Sequence, residues 1–257
     1  MPTFLPVIDN DRPFQPVFQP CINETLQHLG VLFKETLHSV YLAGSVARRD
    51  AVPGQSDLNL TLVFERPLNE LEKSRLHSLS TYIARRYRAV KRLDIRMATT
   101  RDVLSLDGIF QWGFWLRHCC VCLQGDDLSA RFGAFEPSWD AAKSYNGPFE
   151  PILTEYREKI LKTRVAEHYL DYCEYIGKKM LWTAYTLVFH REKVLALSVR
   201  EATALFLKNY PDKAVDIERA YILMSRTQVP KKASLFLMQS FGQWLVDEWN
   251  KIERKIG

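Results

Sequence analysis

The chain has little that marks a membrane or secreted protein. No apolar run approaches the ~20 residues a bilayer-spanning helix needs. The N-terminal stretch "MPTFLPVIDNDRPFQP" is proline-rich and carries acidic residues. It lacks the basic start and apolar centre of a secretion signal, so it reads as an irregular arm of a cytoplasmic protein. Cysteine is scarce and odd in number: Cys21, Cys119, Cys120, Cys122 and Cys173. An odd count argues against a complete disulfide framework and fits a reducing compartment. "HCCVC" has no second Cys/His pair at zinc spacing. It lies in an apolar stretch that reads as a strand, so its thiols are expected to be buried. Charge of one sign is also lacking. Lys and Arg number 35 and Asp and Glu 30, a net +5 that suits anionic ligands without calling for nucleic acid. P-loop, GxSxG and HExxH motifs are absent, and the six histidines are scattered away from any nucleophile.

What is present is an ordinary globular composition, 47% hydrophobic and 25% charged over 257 residues, enough for one large domain or two modest ones. In the first half, helix and strand signals alternate. A helical stripe runs over 22–37 through Ile22, Leu26, Leu29, Leu32 and Phe33. "SVYLAG" (39–44) reads as a short buried strand. "LNLTLVF" (58–64) alternates cleanly, with Leu58, Leu60 and Leu62 on one face and Asp57, Asn59 and Thr61 on the other. A helix over 69–88 shows Leu71, Leu76, Leu79 and Ile83. "RLDIRMAT" (92–99) is a third strand, with Asp94 and Arg96 sharing a face. A helix over 101–113 and a strand "CVCLQG" ending at Gly125 complete an α/β pattern.

Residues 130–150 hold prolines and glycines without a period and read as a connection between a domain over 1–130 and a helical bundle over 151–257. In the bundle, Leu161, Val165, Tyr169, Tyr172, Ile176, Met180, Ala184 and Leu187 step by three and four, as in one helix of about eight turns. Pro211 closes a further helix, Asp212 is a candidate cap for the next, and Pro230 precedes the last, ending near Ile252. The fold class is therefore α+β (α/β): a small mixed sheet followed by an α-helical bundle.

The chemistry concentrates in "LAGSVARRDAVPGQSDLNLTLVF" (42–64). Gly44 lets backbone approach a ligand closely, Ser45 adds a hydroxyl and an N–H, and Arg48 and Arg49 add positive charge. Asp57 and Asn59, two apart on a strand, project from one face, and the next strand brings Asp94. Three oxygen-bearing side chains beside such a turn can hold Mg²⁺ or Mn²⁺ against a triphosphate. Other features read blandly: Gly125-Asp126-Asp127 as a turn, and Trp112, Trp115, Trp244 and Trp249 as core. Arg164 and His168 are too closely spaced for a ribonuclease-type pair. The basic stretch "RRYRAVKR" (85–92) is open between a solvated helix end and an anion-binding patch.

Gly44-Ser45, Asp57 with position 59, and Asp94 together resemble the nucleotidyltransferase superfamily that includes DNA polymerase β. The string "GSVARRDAVPGQSDLNL" is similar to bacterial small nucleotidyltransferases, with Gly-Ser-x-Ala-Arg-Gly followed by Ser-Asp-hydrophobic-Asp-hydrophobic. The helical half resembles, more loosely, that of aminoglycoside nucleotidyltransferases. The resemblance implies that Gly44, Ser45, Arg48 and Arg49 bind nucleotide phosphates. It implies metal ligands at Asp57, Asn59 and Asp94, with Asp57 and Asp94 catalytic and Asp94 helping to deprotonate an acceptor hydroxyl. It further implies a nucleoside triphosphate, ATP in the first instance, as substrate, and a bundle roofing the site. Two positions depart from the pattern: Arg49 replaces a glycine, and Asn59 replaces the second carboxylate. Asn59 is a neutral though acceptable hard ligand, and Arg96 is a candidate ion-pair rival for Asp94. Three readings follow: nucleotidyl transfer to a hydroxyl of a small molecule or protein, a catalytically inactive nucleotide-binding relative, and a toxin–antitoxin-like partner protein. Homodimerisation is left open.

Overall fold

The computed structural model describes residues 4–9 and 12–256; parts of the N-terminal arm lie outside the described residues. The chain forms two compact units, one from Pro6 to Phe135 and the other from Glu136 onward together with Phe4 and Leu5.

The first unit is built on a four-stranded mixed sheet. Helix α1 (Gln19–Leu32) leads into β1 (Leu37–Ala43), a single turn-and-a-half of helix α2 (Gly44–Arg48) and β2 (Leu58–Phe64). Helix α3 (Glu70–Arg86) returns the chain to β3 (Leu93–Thr99). Its start is set by Asn69, whose side chain accepts from the Glu72 N–H at 2.9 Å while the Glu72 carboxylate accepts from the Asn69 N–H, a reciprocal cap. After α4 (Thr100–Leu104), a π turn over Ile109–Gly113 runs into α5 (Phe114–Cys119) and then β4 (Cys120–Gly125). The strand order is β3-β2-β1-β4, with β1 antiparallel to β2 and β4, and β2 parallel to β3.

Strand alternation puts two different surfaces on this sheet. One face carries Val40, Leu42, Leu58, Leu60, Leu62, Phe64, Leu93 and Val121 and packs beneath α1 and α3 through Cys21, Leu29, Leu76, Leu79 and Ile83. Leu71, placed on the apolar side of α3 by spacing, is exposed instead. The other face is only partly polar. Tyr41, Val63 and Ala98 form a second core with Trp112, Leu116 and Leu128, and Thr61 is buried there, accepting from the Trp115 indole N–H at 2.9 Å. This second core covers the middle of the face. Asn59 and Asp94, at the starts of their strands, lie beyond it; Asn59 is half-buried and Asp94 exposed.

The second unit is helical: α6 (Trp139–Asn146), α7 (Glu150–Lys162), α8 (Ala166–Glu192), α9 (Val199–Asn209), α10 (Ala214–Met224), α11 (Lys231–Leu237) and α12 (Gln243–Ile256), with a π turn between the last two. The structure corrects several sequence-based expectations here. The stretch 130–150 contains α6, capped by the Ser138 hydroxyl on the Ala141 N–H and anchored by Trp139, which is buried and donates to Glu253. The long helix exists as α8, 27 residues, but starts later than the apolar step implies: Leu161 belongs to α7, and Thr163–Val165 leaves helical geometry although the step continues through it. Asp212 lies in a 3₁₀ turn and caps nothing; α10 begins without a side-chain cap. The last helix also runs on to Ile256, past Ile252. Among the described residues no helix is long and apolar enough to cross a membrane.

Candidate active site

The site grows from register. Ala43 pairs with Asn59 across the antiparallel β1–β2 ladder, and Asn59 pairs with Asp94 across the parallel β2–β3 ladder. Gly44, Asn59 and Asp94 therefore meet at one end of the sheet, on the face that the second core leaves open. Gly44 has φ +74°, and a Cβ on it would come within 2.6 Å of the Asn59 amide nitrogen. Glycine is needed there twice over: for its left-handed backbone, and because Asn59 lies directly against it. Ser45 is half-buried, and its hydroxyl has no hydrogen-bond partner among the described residues.

Asp57 immediately precedes β2. One of its oxygens, Oδ2, lies 2.9 Å from Arg92 Nη2. The other, Oδ1, is buried without a hydrogen-bond partner. Buried carboxylate oxygens normally find a partner, so this one is a natural point for a cation. Asn59 Nδ2 leans toward the Asp57 carbonyl at 3.5 Å, the outer limit of a hydrogen bond. The Asp94 side chain has no ion pair or hydrogen bond among the described residues of its own unit. Arg96 does not take up the role of rival expected for it. Its guanidinium lies over the rings of Trp112 at 4.4 Å and Trp115 at 5.0 Å, an attraction between a cation and the ring faces.

The two arginines of "GSVARRD" are engaged locally. Arg48 pairs with Asp50 at 3.2 Å. Arg49 sits at φ +67°, a conformation that favours glycine, which gives a physical sense to the glycine of the resembled pattern at this position. Its guanidinium donates to the Ala47 and Arg12 carbonyls and lies 4.7 Å from the centre of the Phe14 ring, while its Nε is buried without a partner. Gln15 joins the same contact, exchanging two hydrogen bonds with the Ala51 backbone. The chain ahead of α1 is thus fastened to the turn that follows α2. Sequence reasoning missed Arg49's partners and Arg92, since neither a residue 37 positions upstream nor a strand register is visible in local pattern.

The donors Asp57, Asn59 and Asp94 are all hard oxygen ligands of the kind Mg²⁺ takes, and the orphaned Asp57 Oδ1 gives one of them a free lone pair. With two carboxylates and one amide oxygen, the set has the donor chemistry to hold one divalent ion, whose other ligands would come from outside the protein. No group of three or more His, Cys, Asp or Glu able to hold a metal occurs among the described residues. Cys119 ends α5 and Cys120 opens β4, rather than both lying on one strand. Both are buried, and burial pushes their thiols well above the ordinary range. Gly125-Asp126-Asp127 is a turn, with Asp127 accepting from the Ser129 N–H at 2.9 Å.

The four-stranded mixed sheet followed by a helical unit matches a nucleotidyltransferase-like fold. Among solved structures, the chain is similar to spectinomycin adenyltransferase AAD(9) from Enterococcus faecialis, solved with ATP and spectinomycin. The TM-score is 0.54 at 13% identity, covering 90% of this chain and 99% of that one. At that identity the likeness concerns the fold. No protein-family model and no curated protein matches the chain.

Proposed function

We propose that the protein transfers a nucleoside monophosphate from a metal-bound nucleoside triphosphate, ATP in the first instance, to a hydroxyl of a small molecule, releasing pyrophosphate. One observation carries this reading: Asn59 and Asp94 are register partners on the open end of a nucleotidyltransferase sheet, with Gly44 packed against Asn59 and Asp57 two residues before it. The Gly44–Ser45 backbone and the uncommitted Ser45 hydroxyl receive phosphate oxygens. Arg48 and Arg49 remain candidates for the same anion, which would have to compete with their present partners. Asp57, Asn59 and Asp94 would hold Mg²⁺ or Mn²⁺. Bound there, the ion would neutralise charge on the transferring group. Asp94, exposed and unpaired within its unit, accepts the proton of the acceptor hydroxyl at its carboxylate. Most of the catalysis is positioning. The five free thiols fit a reducing, cytoplasmic setting.

A second reading has its own support. Asn59 is neutral and Asp57 already has a cationic partner, so the fold could bind nucleotide without turnover. Labelled ATP with Mg²⁺ or Mn²⁺ separates the two. Metal-dependent label transfer or pyrophosphate release, lost in Asp57→Ala, establishes the enzyme. ATP binding without release in the wild type, with release appearing in Asn59→Asp, establishes the inactive relative.

A further inference from the structure

The basic stretch 85–92 divides when it is placed in the fold. Arg85 and Arg86 close α3, where cations favour the helix end. Arg92 has another place altogether. It is the residue before β3, and Asp57 is the residue before β2. The parallel register that pairs Leu58 with Leu93 sets the two side by side, and the Leu58 N–H donates to the Arg92 carbonyl at 2.9 Å. The ion pair between Arg92 Nη2 and Asp57 Oδ2, at 2.9 Å, is therefore built by the sheet rather than by chance contact of two flexible chains.

The partners are unequal. The Asp57 side chain is 13% exposed and the Arg92 side chain 47%. The carboxylate is mostly buried, and the guanidinium reaches it from the solvent side. Asp57 Oδ1 remains buried and unpartnered even while Oδ2 is paired. A guanidinium and a divalent ion cannot both take a full share of one carboxylate's charge: Arg92 adds one positive unit where a metal would add two.

We infer that Arg92 is a built-in counter-cation at Asp57 that competes with divalent metal for this carboxylate. This inference rests on the proposed metal site and deepens it. With Arg92 in place, the formal charge of Asp57, Asn59, Asp94 and Arg92 is −1; without it, −2. The wild-type site then has low affinity for bare metal, and a triphosphate that draws Arg92 toward its own oxygens releases Asp57 for the ion arriving with it. Arg92 is a positioning residue here, acting through Asp57.

The test is Mn²⁺ binding to the full chain without nucleotide, followed by the loss of the free-ion paramagnetic resonance signal. Wild type, Arg92→Gln, Arg92→Lys, Asp57→Ala and the Arg92→Gln/Asp57→Ala double variant are compared after circular dichroism confirms that each is folded. The expected result is a rise in Mn²⁺ affinity of about tenfold in Arg92→Gln, abolished by adding Asp57→Ala, with Arg92→Lys staying close to wild type. Asp57-dependent Mn²⁺ binding of equal strength in wild type and Arg92→Gln overturns the role of Arg92 and leaves the metal site standing. Mn²⁺ binding indifferent to Asp57 in every background overturns both. Should Arg92→Gln fail to fold, Arg92→Met, which also removes the charge, takes its place with the same expected rise; Asp57-dependent Mn²⁺ affinity equal to wild type in that variant also overturns the inference.

Discussion

At the scale of single residues, the site depends on how Gly44 and Asn59 share space. A methyl group at position 44 meets the Asn59 amide at 2.6 Å and must adopt φ +74°. The left-handed backbone alone costs an L-residue about 1–2 kcal/mol, and displacing Asn59 adds to it. Gly44→Ala is therefore expected to lower stability in urea by about 2 kcal/mol or more. In an Asn59→Ala background the same substitution should cost only the backbone part. A double-mutant cycle measures the difference, and strict additivity would show that the two residues do not touch in solution. Much of the residue-level reading was available from spacing. A period of two on a strand assigns Asp57 and Asn59 to one face whatever the rest of the chain does. Arg49 and Arg92 were not available in this way. The first finds Phe14 and Arg12, which lie ahead of α1 with two helices and a strand between, and the second finds Asp57 through strand register.

Secondary-structure elements show where local pattern ends. "LNLTLVF" became β2 with the bounds the pattern assigns, because alternation, β-branched content and Pro67 all agree. The break between α7 and α8 leaves no comparable mark. Leu161 and Val165 keep the helical step, yet both are exposed, and the corner is held by the Thr163 hydroxyl meeting the Val165 N–H at 3.3 Å and by Lys231 donating to the Thr163 carbonyl. A periodic pattern reports which residues could share a face, not whether the backbone between them stays helical. Within α8, Gly177 marks the close crossing with α10: a Cβ there would lie 2.8 Å from both the Ala220 carbonyl oxygen and the Met224 nitrogen. Backbone atoms cannot step aside as a side chain can. Gly177→Ala, although favourable to an isolated helix, is expected to destabilise the helical unit by about 1–3 kcal/mol. Chemical denaturation checks it, and an unchanged midpoint would mean that the helices cross less closely.

At the scale of the whole molecule, titration should divide loss of stability into two pH windows. His118 in α5 is buried among Phe114 and Phe135; its Nδ1 meets the Pro6 carbonyl at 2.7 Å, and its Nε2 is buried without a partner. Burial holds its pKa below the ordinary 6.5, aided by Arg117 and opposed by the Pro6 contact. His190 is likewise depressed by burial, with Arg191 adding to it. The unfolded chain then binds protons that the folded chain refuses, so stability is whole above about pH 6.5 and falls as pH drops below it. Separately, Glu24 is pulled down to about 2 by hydrogen bonds from Tyr87 and Tyr82 and by Arg86, and Glu72 to about 2 by Arg66 and the Asn69 N–H. Their contribution is present above pH 4.5 and lost as pH falls through about 2. The thermal midpoint should therefore slope downward as pH falls below about 6.5, and more steeply again below 4.5. His118→Gln should reduce the first slope, leaving the part due to His190, and leave the second unchanged. A wild-type midpoint level from pH 7 to 5 would contradict the buried neutral histidines.

Sequence alone determined the α+β class, the two strands that carry Asn59 and Asp94, the place of Asp57 at the head of the first, and the absence of a membrane-length apolar run. All of these follow from local chemistry: periods of 2 and 3.6, turn residues, and the length of apolar runs. Tertiary structure alone decided that Trp112, Trp115 and Leu116 close the middle of the face that alternation marks as polar, leaving only its end open. It also decided that Arg96 lies on tryptophan rings and that Arg92 answers Asp57. Those outcomes depend on which distant segments are brought side by side. A parallel register aligns residues 35 positions apart, and no local pattern of side chains encodes that alignment.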